Sequence, residues 1–162
     1  MTTQTPTYKH PWTEVDDRTL RVERVFDAPR DLVWRAHSEP ELVAKWWGRG
    51  HPLDIERFEF EKGGHWRVVE HHERGSDGFE GRFREITPKT LISRTFEWDG
   101  MPGYPVIETS EFSDANGGAA TTVTITSHFF NQAERDGMAQ AGAEAGMAQS
   151  HAALDALLEA LT

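Results

Sequence analysis

The chain has 162 residues, with 27 acidic against 17 basic side chains, a formal net charge of −10, 8 histidines and no cysteine. That length suits one domain with a substantial core, and the acidic balance excludes a general electrostatic footprint for nucleic acid or an anionic bilayer. Zero cysteines exclude disulfides, a thiolate nucleophile and thiolate-held metals, and the absence of a membrane-length apolar run or a signal-peptide core leads to a cytoplasmic expectation.

Residues 1–17 hold Pro6 and Pro11 and keep no lasting period, so they are expected as a loose lead-in to one domain over residues 18–162. Tyr8 and Trp12 are the side chains that could pin it to the body. Thr19 to Phe26 alternates Leu20 and Val22 against Arg21 and Glu23, which predicts a strand. Pro29 suits the first turn of a helix with an apolar face of Leu32, Val33 and Ala36. Pro40 opens a second short helix carrying Leu42, Val43, Trp46 and Trp47, which Gly48 and Gly50 stop.

The period then changes to two. Leu53, Ile55, Phe58 and Phe60 predict a strand whose alternation slips between Ile55 and Phe58, the mark of a bulge. Gly63-Gly64 turns the chain. Trp66, Val68, Glu70 and His72 share one face of the next strand, and Gly75-Ser76-Asp77-Gly78 reads as its hairpin turn. Phe79, Gly81 and Phe83 alternate with Glu80, Arg82 and Arg84. After Thr87-Pro88-Lys89, Ile92, Arg94, Phe96 and Trp98 fall on one face. Val106 to Phe112 and Thr121 to Phe129 are the last strands, joined through Asp114 to Gly118.

From Asn131 to Thr162 the period is helical. Asn131 is a cap, Glu134 stands at the capping-box position, and His151, Leu154, Leu158 and Leu161 continue an apolar stripe. One helix of about 40 Å is expected. The fold class is therefore α+β: a curved antiparallel β-sheet wrapped around a long C-terminal α-helix, with two short helices after the first strand. The middle of the long helix is small, from Gly137 through Ala139, Ala141 and Gly142 to Gly146 and Ala148. Such residues serve either close contact with the sheet or a pocket beneath the helix.

Pro29 with Val33-Trp34, then Lys45-Trp46-Trp47-Gly48, resembles the opening of the activator-of-heat-shock-protein-90-ATPase homologue 1-like family. The likeness continues in Gly63-Gly64, Glu85-Ile86-Thr87-Pro88 and Gly117-Gly118, and closes with Gly146-Met147-Ala148-Gln149-Ser150 and Leu154-Asp155-Ala156-Leu157-Leu158. That family lies within the START-like (SRPBCC, birch-pollen-allergen-like) superfamily. The resemblance implies a helix-grip fold, with a cavity between sheet and helix in many relatives. A chaperone partner and a role in stress are implied only through larger eukaryotic namesakes with a further domain. His151 departs from the leucine usual on the gripping face of such relatives.

Candidate ligand-binding residues are Trp66, Glu70, Phe83, Arg94, Phe96, Trp98, Glu108 and His151, with Glu70 and His151 the preferred polar pair. The aromatic members could equally fill an ordinary core, and Glu70 could sit at a solvent-facing strand end. A carboxylate or imidazole within a concave face would be notable, because each is costly to bury alone. His71 and His72 point to opposite faces, so no metal site is expected. No phosphate loop, dinucleotide fingerprint, zinc helix or nucleophile elbow is present, so no cofactor is expected. The expected function is binding of a small hydrophobic or amphipathic molecule. A chaperone-regulating interaction module is the alternative, followed by a cyclase- or isomerase-type enzyme using an acid or base in the cavity. A homodimer is a further expectation, two-fold pairing being the commonest closed assembly.

Overall fold

Alternation along the strands gives the sheet one apolar and one solvated face, and the helices cover the apolar one. The computed structural model describes residues 12–162. Its elements are β1 (Thr13–Asp16), β2 (Thr19–Phe26), α1 (Arg30–Ser38), α2 (Pro40–Val43), β3 (Leu53–Phe58), β4 (His65–His72), β5 (Gly75–Thr87), β6 (Leu91–Trp98), β7 (Val106–Ala115), β8 (Ala120–His128), α3 (Gln132–Gln140) and α4 (Ala143–Leu161). The 8 strands form one antiparallel sheet in the order β1-β2-β8-β7-β6-β5-β4-β3. Consecutive strands from β3 to β8 are neighbours, as short connections favour. The segment holding α1 and α2 instead carries the chain from β2 to the opposite sheet edge.

The strand expected at Thr19 to Phe26 is β2, paired with β8 so that Val22 faces Ile125 and Phe26 faces Thr121. The bulge expected in β3 falls between Ile55 and Arg57; Phe60 lies past the end of that strand. Pro29 precedes α1 with φ −62° and Pro40 is the first residue of α2. The fixed φ of proline and its missing N–H suit these positions.

Several details differ from the sequence reading. The first is that α2 ends at Val43, so that Trp46 and Trp47 lie in the turns beyond it and not on the helix. Within the lead-in, Thr13–Asp16 forms an edge strand on β2, and the Trp12 amide donates to the Glu144 carboxylate. Tyr8 lies outside the described residues. The β4–β5 hairpin turns at Glu73-Arg74, because His72 already pairs with Gly75. Here the His72 ring does what an asparagine commonly does in a turn, its Nδ1 accepting from the Arg74 amide at 3.2 Å.

The C-terminal helix is two helices, not one. Gly142 stands at φ 89°, the left-handed region, and caps α4. That conformation interrupts the right-handed run, and glycine takes it without a Cβ clash. Asn131 caps α3 as expected, its Oδ1 accepting from the Glu134 amide at 2.9 Å. Finally, Leu161 is 39% exposed at the chain end, whereas Leu154 and Leu158 are 0% and 2% exposed.

Leu154, Leu157 and Leu158 pack with Phe26, Val123 and Ile125 in the main core, beside Val33 and Trp34 from α1 and Trp46 from the turns after α2. A smaller cluster of Leu20, Val106, Phe129 and Met138 fixes α3 to the other part of the sheet. Between these two clusters the small residues of α3 and α4 leave space.

Candidate functional site

A cavity of about 250 Å³ lies between the concave sheet face and the helices. Ala141, Gly142, Ala143 and Gly146 form part of its helical side, together with Met138 and Met147. Side-chain volume missing from the helix is thus matched by large rings on the strands. Trp47 meets Phe79 edge-on at 5.0 Å, and Phe79 lies 5.4 Å from Phe96, a continuous aromatic wall.

Four polar stations interrupt that wall. The first is Glu70, 2% exposed. Its Oε2 accepts from Arg49 Nε at 2.9 Å, from Arg49 Nη2 and from His51 Nδ1 at 2.8 Å. Arg49 belongs to a run of three left-handed residues, with φ 70° at Gly48, 62° at Arg49 and 74° at Gly50. For arginine this backbone is strained. It is held from both ends: the side chain by Glu70, the amide by Ser150 Oγ at 2.8 Å. The loop after α2 is thereby tied to both β4 and α4.

The second station is Asp77, whose Oδ1 accepts from Trp98 Nε1 at 3.0 Å and whose Oδ2 accepts from His72 Nε2 at 2.8 Å. The third is Arg94, paired with Glu108 by bonds of 3.1 and 2.9 Å to one carboxylate oxygen. Its guanidinium lies 4.1 Å from the Trp66 ring centre, in cation–π range. Register explains the pair, since Arg94 and Glu108 are directly opposite on β6 and β7.

The fourth station is a pair of histidines. His37, half-buried on α1, donates from Nδ1 to the Val33 carbonyl at 2.8 Å and packs its ring on Trp46 and Phe112. Burial pushes its pKa down to about 4, with Arg94 adding to the fall and the Val33 bond opposing it. His151, 4% exposed on α4, touches Phe26 at 5.2 Å and Trp46 at 6.2 Å. Burial lowers its pKa to about 3, and the charge of Arg24, joined in acid by that of His37 once protonated, pushes the same way. Both rings are neutral at physiological pH.

The structure brings Glu70, Phe83, Arg94, Phe96, Trp98, Glu108 and His151 to the cavity wall. Trp66 is not on it: at 1% exposure it lies behind the wall as the platform under Arg94. Glu70 and His151 share the cavity without bonding to each other, because Arg49 and His51 take the carboxylate. Arg49, His51, Asp77 and His37 escaped the sequence reading. Arg49 did carry a signal, standing between two glycines after a tryptophan pair. His37 had one too, three residues after Trp34 on a helical face.

Among the described residues no group of three or more His, Asp or Glu could hold a metal ion. Among them also, no helix is long and apolar enough to cross a membrane. The arrangement can enclose a small apolar body, and its ionic groups are already paired at the wall.

A family model described as "Activator of Hsp90 ATPase homolog 1-like protein" matches residues 27–159. Among solved structures, a protein from Rhodobacter sphaeroides has TM-score 0.82 at 25% identity, over 93% of this chain and 98% of that one. A protein from Arthrobacter aurescens has TM-score 0.81 at 22% identity, over 91% and 89%. One from Mycobacterium smegmatis has TM-score 0.79 at 20% identity, over 94% and 100%. The last two likenesses bear on the fold alone. No curated protein matches the chain.

Proposed function

The chain belongs to the activator-of-Hsp90-ATPase homologue 1-like family, and on that premise we propose that it binds a small, largely apolar molecule with a polar end between the sheet and α3–α4. The observation that carries this reading is the cavity of about 250 Å³ that Trp47, Phe79 and Phe96 help to wall. Ligand pockets commonly run from about 300 Å³ upward, so the occupant is small, on the scale of one or two fused rings. Interior space is normally filled to crystal-like density. Here the wall residues are instead held in place, Arg94 by Trp66 behind it and Arg49 by its neighbours Glu70 and Ser150 on the wall, which favours an open space.

Thermal melting against a panel of one- and two-ring aromatic compounds tests the reading, in the unaltered chain and in Gly146→Leu. Gly146 is helical and lines the cavity, and a Cβ built there meets nothing nearer than Arg49 Cδ at 3.8 Å. Leucine there should raise helix stability by up to ~1 kcal/mol while filling the space. The expected result is a ligand-dependent rise in Tm for the unaltered chain that Gly146→Leu abolishes without loss of fold. A rise of equal size in both chains would move binding elsewhere.

A further inference from the structure

His37 and His151 lie outside the ion pairs of the cavity. Both rings line the space and both touch Trp46, one from α1 and one from α4. The Val33 carbonyl only accepts, so His37 Nδ1 carries the ring proton and Nε2 of the neutral ring is a bare acceptor. Among the described residues that Nε2 has no hydrogen-bond partner. Nor does either nitrogen of His151, although the residue is only 4% exposed. These nitrogens are not sealed in the interior: they keep some accessible surface and both residues line the cavity, so an occupant that displaces water there must replace the hydrogen bonds that water makes.

We infer that the part of the cavity lined by His37 and His151 receives the hydroxyl group of a neutral ligand, an aromatic or alicyclic alcohol. This rests on the ligand-binding reading above and names the class of ligand. A hydroxyl both donates and accepts. It donates to His37 Nε2, and its oxygen accepts the one N–H of His151, whose tautomer is free to follow. A hydrocarbon would leave both rings unmatched. A carboxylate fits worse: it needs donors at both rings, while Glu70, Asp77 and Glu108 line the same cavity and repel it, and Arg94 is already held by Glu108. The apolar body of the ligand lies against the aromatic wall.

Naphthalene, naphthol and naphthoate, equal in ring size and different in one group, are the probes. Their affinities are measured by calorimetry near neutral pH on the unaltered chain. Naphthol should bind about tenfold tighter than naphthalene, the value of one or two matched hydrogen bonds, and naphthoate weakest. An unmatched hydroxyl would lose by its desolvation and bind less well than the hydrocarbon. In His151→Phe, which keeps a ring in place, the preference for naphthol over naphthalene within that variant should fall to within about threefold. Nitrogen NMR of the imidazoles in the unaltered chain covers the case of a poorly folded variant: naphthol should shift His37 Nε2 and the His151 ring nitrogens, naphthalene far less. Equal affinity for naphthalene and naphthol, tightest binding of naphthoate, or histidine nitrogens silent to bound naphthol would each overturn the hydroxyl assignment and leave ligand binding standing. If none of the three binds, the ligand-binding reading falls and this inference with it.

Discussion

Arg49 concentrates two opposing energies in one residue. Its φ of 62° is costly for any side chain with a Cβ, yet its guanidinium is a partner of a carboxylate that is 2% exposed. Removing a partner from a buried ion pair costs more than an exposed pair contributes, because the remaining charge is left desolvated. Arg49 is itself partly exposed, so the loss in Arg49→Ala should be about 2 kcal/mol in denaturant unfolding. Arg49→Gly loses the same pair but relaxes the backbone. It should therefore be the milder change by about 1 kcal/mol, the reverse of the usual order of alanine and glycine. Equal losses would show that the left-handed backbone carries no strain.

The break at Gly142 matters most among the elements. It turns the expected single helix into two, and the joint itself lines the cavity. Gly142→Ala should cost about 1 kcal/mol, read from the denaturation midpoint at unchanged slope. A built Cβ at Gly142 meets no neighbour within 4 Å, so the cost would be conformational and not steric crowding. The apolar stripe of α4 offers a second test. Leu158→Ala should cost about 2–5 kcal/mol, as a fully buried leucine does, whereas Leu161→Ala, at a 39% exposed position, should cost less than about 0.5 kcal/mol. Similar losses at both positions would contradict the placement of the helix end.

For the whole molecule, the two neutral histidines make stability depend on pH. Their folded pKa values, about 4 for His37 and about 3 for His151, lie below the ordinary 6.5. Below pH 6.5 the unfolded chain takes up protons that the folded chain refuses, so stability should fall as pH falls toward those folded values, and be flat in these groups above it. Each ring contributes a slope of at most about 1.4 kcal/mol per pH unit, with the nearly inaccessible His151 giving the larger share. The carboxylates of Glu39, Glu59 and Asp99, whose pKa values are lowered by Arg35, the His65 amide and Arg67 respectively, act in the same direction but further toward acid. Denaturant unfolding followed between pH 6.5 and about 4.5 should therefore show a decline that His151→Leu makes shallower. An unchanged slope would place His151 outside the group that refuses protons.

Local pattern was enough for the α+β class, the two proline-led helices, the β3 bulge and the aromatic faces of β4 to β6. Period-two and period-3.6 alternation are written directly by which residues must leave water. It was also enough to bring seven of the eight chosen side chains to one cavity, since strands of one curved sheet turn their apolar faces to a common interior. What tertiary structure decided is who bonds to whom. Arg49 and His51 reach Glu70 across 21 and 19 residues of sequence, and Trp66 became a platform behind the wall because Arg94 lies over its ring. The split at Gly142 was equally out of reach, because glycine within a helical pattern reads the same whether it stays right-handed or turns left. His37 and His151 lie 114 positions apart by numbering, and only the closing of the sheet around α4 lines one space with both. Burial then makes them neutral: their protonation state belongs to the fold, because desolvation is a property of the surroundings and not of the residue.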